Sequence, residues 1–191
     1  MSYQLNEKII CPNDPTATRE RIDQYKNYYK IKYDICKRLA PKTIAEIGVR
    51  AGYSAWTFLQ ATPDAQYFGF DANNGTHGGQ GGQTGIFKKW AKRILADYQA
   101  TLIDCDTQKT QSLDIKDIDL FHVDGDHTVK GVQHDLDLAS QTLSEAGYIL
   151  VDDVDYITEV KHGVDQWLIK NPNYKHEYIH SLRGEILITK K

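Results

Sequence analysis

At 191 residues, with 23 Lys and Arg against 26 Asp and Glu and a net charge of -3, the chain fits one ordinary domain and carries no broad basic field of the kind that holds nucleic acid phosphates. Its three cysteines, Cys11, Cys36 and Cys105, are scattered without CxxC spacing, which predicts reduced thiols in a cytoplasmic protein and excludes a local zinc or redox motif. The leader MSYQLNEKIICPNDP lacks a basic region followed by an apolar run, and no stretch approaches the roughly 18 apolar residues that span a bilayer, so neither secretion nor membrane insertion is expected.

After the polar leader, Ile22, Tyr25, Tyr29, Ile31, Ile35 and Leu39 recur at close to a helical period, predicting one long or two short helices over Thr18 to Leu39 before Pro41. Tyr25, Tyr28, Tyr29 and Tyr33 share one side of this segment. Such a stripe is the pattern of packing, with a substrate lid or a homodimer seam as alternatives. The period then changes. Thr43 to Val49 is a short apolar run interrupted by Glu46, closed by glycines and followed by Ala55, Phe58 and Leu59 at helical spacing, predicting strand, tight turn and helix.

The alternation continues with strands at Gln66 to Phe70, Ala100 to Ile103, Asp119 to Val123 and Gly147 to Val151. Helices are expected at Ile86 to Tyr98, from Val129 to Leu143 and from Val160 to Ile169. Residues Asn73 to Gly85 are too glycine-rich to pack and predict a mobile loop, either a connector or a cover for substrate. The extended runs His176 to His180 and Glu185 to Thr189, split by Leu-Arg-Gly, predict a terminal hairpin. Together these predict one α/β domain with a doubly wound, mostly parallel seven-stranded sheet ending in an antiparallel hairpin. A helical segment, residues 1–40, precedes the core, residues 43–191.

Three sets of residues carry chemistry. The first is Glu46-x-Gly48-x-x-x-Gly52 at the end of the first strand. A small-residue turn lets a ligand approach the backbone, and the next helix offers free N–H groups. The dinucleotide fingerprint G-x-G-x-x-G fails here, because Arg50 and Tyr53 stand where its second and third glycines belong. The second is Asp71, closing the next strand 23 residues after Gly48, where an acid for ribose hydroxyls belongs. The third is the pair of acidic strand ends LFHVDGDHT and GYILVDDVD, which bring Asp124, Asp126 and His127 beside Asp152, Asp153 and Asp155 in one crevice. Carboxylates crowded in a cleft repel one another unless a hard divalent cation such as Mg²⁺ neutralises them. Asp126 also suits the cap of the following helix, and Asp155 a solvated loop position.

The run IAEIGVRAGYS, with Asp71 and the terminal hairpin, resembles class I S-adenosylmethionine-dependent methyltransferases. The stretch VDGDHTVKGVQHDL is similar to small bacterial methyltransferases related to cephalosporin-hydroxylase-like proteins. The resemblance covers Thr43 to Asp155. It implies S-adenosylmethionine as cofactor, with Glu46, Gly48, Gly52, Ser54, Asp71 and Asp124 around it and Asp106 near the adenine. Metal-dependent O-methyltransferases of the catechol and macrocin type take ligands from the same two strand ends, implying Asp124, Asp152 and Asp153 as ligands of Mg²⁺ or another divalent cation. His127 then stands where these families place a proton acceptor. The expected reaction is O-methylation of a small hydroxylated molecule, a sugar or a phenolic natural product. The alternatives are metal-independent transfer with the same acids as hydrogen-bonders, or a non-catalytic binding protein.

Overall fold

The computed structural model describes residues 3, 5, 7–16, 22–75, 77 and 84–191. Their helices are α1 (Ile22–Leu39), α2 (Tyr53–Ala61), α3 (Thr84–Ile94), α4 (Val129–Thr142) and α5 (Thr158–Lys170). The strands are β1 (Thr43–Ile47), β2 (Gln66–Asp71), β3 (Ala100–Asp104), β4 (Ile118–Val123), β5 (Leu143–Val151), β6 (Tyr174–Ile179) and β7 (Glu185–Lys190). They form one sheet in the order β3-β2-β1-β4-β5-β7-β6. The first five run parallel, while β7 pairs antiparallel with both β5 and β6. This is the class I methyltransferase arrangement that the strand–helix alternation and the terminal hairpin predict.

Alternation along the strands builds a core on each face. Ile44, Leu120, Leu150 and Leu187 point to the face covered by α1 and α2, where Tyr28, Ile35, Phe58 and Leu59 pack. Their neighbours Ala45, Phe121, Ile149, Val151 and Ile188 point the other way, against Val132, Leu136, Val164 and Trp167 of α4 and α5. Strands buried on both sides are apolar nearly throughout, as parallel strands are.

Several boundaries differ from expectation, three of them with consequences for the site or the sheet. β1 stops at Ile47 because Gly48 leaves extended geometry with φ +93°. The third helix ends at Ile94, four residues before Tyr98. β5 begins at Leu143, directly after α4, and its register with β4 shifts between Ile118 and Leu120, which absorbs the added residues. The expected start of α1 at Thr18 and most of the glycine-rich loop lie outside the described residues. Strand order reverses between β1 and β4, so the carboxyl ends of these strands open a crevice.

Candidate active site

A cavity fills that crevice. Gly48, Arg50, Ala51, Tyr53 and Ser54 form one wall, Asp71, Asn73, Cys105 and Thr107 the second, and Asp124, His127, Asp153, Arg183 and the tyrosines of α1 the third. The glycine loop is shaped for close approach. A Cβ on Gly48 would lie 1.8 Å from the Asp124 carbonyl oxygen, so only glycine lets the β1 and β4 ends meet. Gly52 caps α2 in the left-handed region at φ +80° and lies outside the cavity wall.

Glu46 does not reach the cavity. Its buried carboxylate accepts from the Ser54 and Tyr67 hydroxyls, and its Oε1 lies 2.7 Å from His122 Nδ1. Glu46 thus braces the loop from beneath, and the Ser54 hydroxyl is committed to it. Asp71 does line the cavity. Its oxygens accept from the Arg50 and Asn73 amides at 2.8 and 2.7 Å, and each oxygen keeps a second acceptor site for a ligand hydroxyl.

Asp106 is turned from the cavity. Its carboxylate sits 2.7 Å from Lys109 Nζ and 2.8 Å from His77 Nε2, and Lys109 holds its pKa below the usual range. His77 comes from the glycine-rich loop and also pairs with Asp126 through Nδ1 at 3.0 Å. Asp126 accepts from the Thr128 amide, and Thr128 itself caps α4 by accepting from Gly131, so the helix cap stands two residues after Asp126. Asp155 is exposed, with its carboxylate accepting from the Tyr178 hydroxyl.

The acids at the β4 and β5 ends separate into two environments. Asp153 occupies the left-handed region at φ +61°, a conformation Asp tolerates better than most residues, and so adjacent carboxylates face different ways. Asp152 is buried under α1. Its Oδ2 accepts from Tyr28 and lies 3.1 Å from Lys32 Nζ, while its Oδ1 accepts from the Asp153 amide at 2.8 Å. Lys32, wholly buried, also lies 3.0 Å from Glu185 Oε1. Burial pushes Asp152 up, but Lys32 and then His122 and Tyr28 outweigh it and hold the carboxyl below its ordinary value. Asp152 is therefore an internal counter-ion with both oxygens engaged, in contrast to the ligand role its sequence position implies.

Asp153 faces the cavity with Asp124 and His127. His127 Nε2 lies 3.5 Å from Asp124 Oδ1 and 3.7 Å from Asp153 Oδ2, and this buried nitrogen makes no hydrogen bond among the described residues. One ligand atom from each of these three residues falls within 4.8 Å of the others. Burial raises the Asp153 carboxyl to about 7, reinforced by Asp124 and Asp152 and opposed by Arg183. Asp124 holds the His127 imidazole above its ordinary value against the opposing effect of burial.

Local pattern does not reveal the partners of these acids. Arg183, in the β6–β7 turn, donates to both Asp153 oxygens at 3.1 and 3.4 Å and lies over the Tyr28 and Tyr156 rings. Tyr25, Tyr28 and Tyr29 line the cavity, so three members of the tyrosine stripe face the site, whereas Tyr33 packs on Tyr3. The one available signal for Lys32 is a lysine one helical turn after Tyr28 on an otherwise apolar face.

A methyltransferase-domain family model matches residues 45–154, more than half of the chain. No curated protein sequence gives a significant match. Among solved structures, the O-methyltransferase TomG of Streptomyces achromogenes, involved in tomaymycin synthesis and bound to S-adenosylmethionine, is 14% identical with a TM-score of 0.68, over 98% of this chain and 91% of TomG. An O-methyltransferase of Bacillus cereus bound to S-adenosylhomocysteine is 13% identical with a TM-score of 0.65, over 86% of this chain and 80% of that one. The Podospora anserina methyltransferase PaMTH1, also bound to S-adenosylhomocysteine, is 19% identical with a TM-score of 0.64, over 86% and 78%. At such identities the structures speak for the fold, and the family model with the glycine loop, Asp71 and the crevice at the strand reversal supplies the rest: the chain belongs to the class I S-adenosylmethionine-dependent methyltransferases.

Proposed function

We propose that the enzyme methylates a hydroxyl oxygen on a small molecule with help from a divalent cation, and that Asp124, His127 and Asp153 serve the reacting oxygen. The observation that carries this is their convergence at the mouth of the glycine loop. Ligand oxygens of Asp124 and Asp153 converge there with the His127 nitrogen beside them, and carboxylate oxygens are the donors that a hard divalent ion takes. Asp124 and Asp153 would hold the ion, which when bound lowers the pKa of a coordinated hydroxyl. Asp152 lies behind this pair and fixes the β5 end through Tyr28 and Lys32.

In this reading the acceptor enters along Tyr25, Tyr28 and Tyr29, whose rings suit a flat phenolic group better than a sugar. His127 accepts the hydroxyl proton at Nε2. The acceptor oxygen then takes the methyl in line as the carbon–sulfur bond breaks, leaving S-adenosylhomocysteine. Positioning supplies most of the acceleration, since methyl transfer needs little covalent help.

Mn²⁺ titration and turnover on a phenolic acceptor panel test these roles together. His127→Asn is expected to keep Mn²⁺ affinity within about threefold while turnover falls by roughly 10²- to 10⁴-fold. Loss of the ion together with turnover would instead make His127 a ligand. Asp153→Asn is expected to lose Mn²⁺ binding. A second reading, metal-independent transfer, is favoured by Arg183, which already places a cation on Asp153. Turnover unchanged by EDTA in the wild-type protein would establish it.

A further inference from the structure

We propose that Arg50 binds the carboxylate of the cofactor's methionine moiety, and that Asp14, in the segment before α1, is the positioning residue that aims it. Arg50 interrupts the glycine loop and adopts φ +48°, a left-handed conformation that costs a non-glycine residue free energy and that clusters at functional sites. Its amide donates to Asp71 Oδ2 at 2.8 Å, which fixes it to the acid expected at the ribose. Its side chain lines the cavity next to Thr16, Ala51 and Tyr53.

The guanidinium is held on several sides. NH1 and NH2 donate to the two Asp14 oxygens at 2.7 and 2.8 Å, NH2 also lies 3.3 Å from Thr16 Oγ1, and the Phe87 ring covers it at 4.3 Å. Asp14 has no exposed side-chain surface, whereas Arg50 keeps 29%. Three neutral donors share the Asp14 charge: the Tyr53 hydroxyl at 3.1 Å and the Thr16 amide and hydroxyl at 2.9 and 2.8 Å. Asp14 therefore takes the end of the guanidinium and orients it, while the part of Arg50 that stays exposed lines the cavity. A guanidinium has five N–H donors, so the group pre-organised in this way keeps donors outside the Asp14 pair for a second carboxylate.

Charge then sets the direction of the cofactor. S-adenosylmethionine carries cationic sulfonium and ammonium groups and one anionic group, the carboxylate. The other guanidinium that lines the cavity, Arg183, donates to both oxygens of Asp153 on the wall of the acids. Arg50 is the cation on the glycine-loop wall, so the carboxylate lies there and the reactive methyl faces the acids.

The test compares two ligands by calorimetry: S-adenosylhomocysteine and its decarboxylated analogue, which lacks only the carboxylate. Wild-type protein is expected to bind S-adenosylhomocysteine at least about tenfold more tightly, and equal affinities would overturn the proposal without recourse to any variant. Arg50→Gln is expected to erase that preference while leaving affinity for the analogue within about twofold, which also reports that the pocket is intact. Asp14→Asn is expected to reduce the preference in part, with Arg50→Lys intermediate. A preference retained in Arg50→Gln, or an equal loss for both ligands, would overturn the assignment.

Discussion

The two halves of the cavity solve the problem of holding charge in different ways. On the cofactor side, backbone does most of the work: Gly48 admits the Asp124 carbonyl, and the Arg50 and Asn73 amides hold Asp71. On the acceptor side, buried side chains do it: Lys32 sits between Asp152 and Glu185, and Arg183 sits on Asp153. The first half is a matter of shape and tolerates few added atoms. The second is a matter of charge balance and tolerates few lost partners. Lys32→Met should produce the largest effect, because it leaves two buried carboxylates facing each other without a cation. Removing one partner of a buried pair costs about 3–5 kcal/mol. Urea unfolding measures this, and Lys32→Met combined with Asp152→Asn and Glu185→Gln should recover much of the loss. If the triple variant is no more stable than the single one, the charge-balance account of this half fails.

Gly48→Ala probes the shape half in the same currency. The added Cβ meets backbone that cannot swing aside, at 1.8 Å from the Asp124 oxygen, and φ +93° is itself unfavourable for alanine. A destabilisation of about 2–4 kcal/mol is expected from backbone strain and overpacking together, with loss of S-adenosylhomocysteine binding by calorimetry. Gly52→Ala supplies the contrast. Its Cβ would meet Ala91 Cβ and Cα at 3.0 and 3.2 Å, contacts that a shift of α3 by a few tenths of an ångström relieves, so the cost should fall to about 1–2 kcal/mol, mostly the left-handed penalty. Equal costs at the two glycines would show that conformation, and not the close approach of β4, governs the loop.

The same division explains what the amino-acid order reveals. The glycine loop, Asp71, Asp124 and His127 are legible because each belongs to a strand and the turn that follows it, a unit confined to a few consecutive residues. The acid pair at the end of β5 is legible as a pair only. Which of Asp152 and Asp153 faces the cavity depends on the left-handed turn at Asp153, and no neighbouring residue signals it. The partners are harder still, since Tyr28 reaches Asp152 across 124 residues and Lys32 reaches Glu185 across 153. A helical stripe of tyrosines is the same pattern whether it packs on a sheet or lines a pocket. Glu46 shows the converse: its place in the motif suggests a ligand contact, while its three partners make it a brace.

An effect as small as that at Gly52 lies where the two modes meet, at Asp14, a buried carboxylate holding a cation on the backbone-built side. Burial raises its pKa, but Arg50 and then Thr16 outweigh this and bring it down to about 2, against about 3.9 for an unfolded aspartate. A carboxyl whose pKa is depressed in the folded protein contributes stability that is fully present above the unfolded value, and that contribution is lost as pH falls toward the folded value. Wild-type protein should therefore exceed Asp14→Asn in unfolding free energy by about 1–2 kcal/mol at pH 6, once solvent screening of the partly open Arg50 is allowed for. The gap should shrink steadily from pH 4 to pH 2, whereas the Lys32→Met deficit should keep most of its size down to about pH 4. Urea midpoints of the three proteins at pH 6, 4 and 3 make the comparison. A gap for Asp14→Asn that stays constant over this range would mean that Asp14 acts through neutral hydrogen bonds to Thr16 and Tyr53, and that Arg50 is aimed by shape alone.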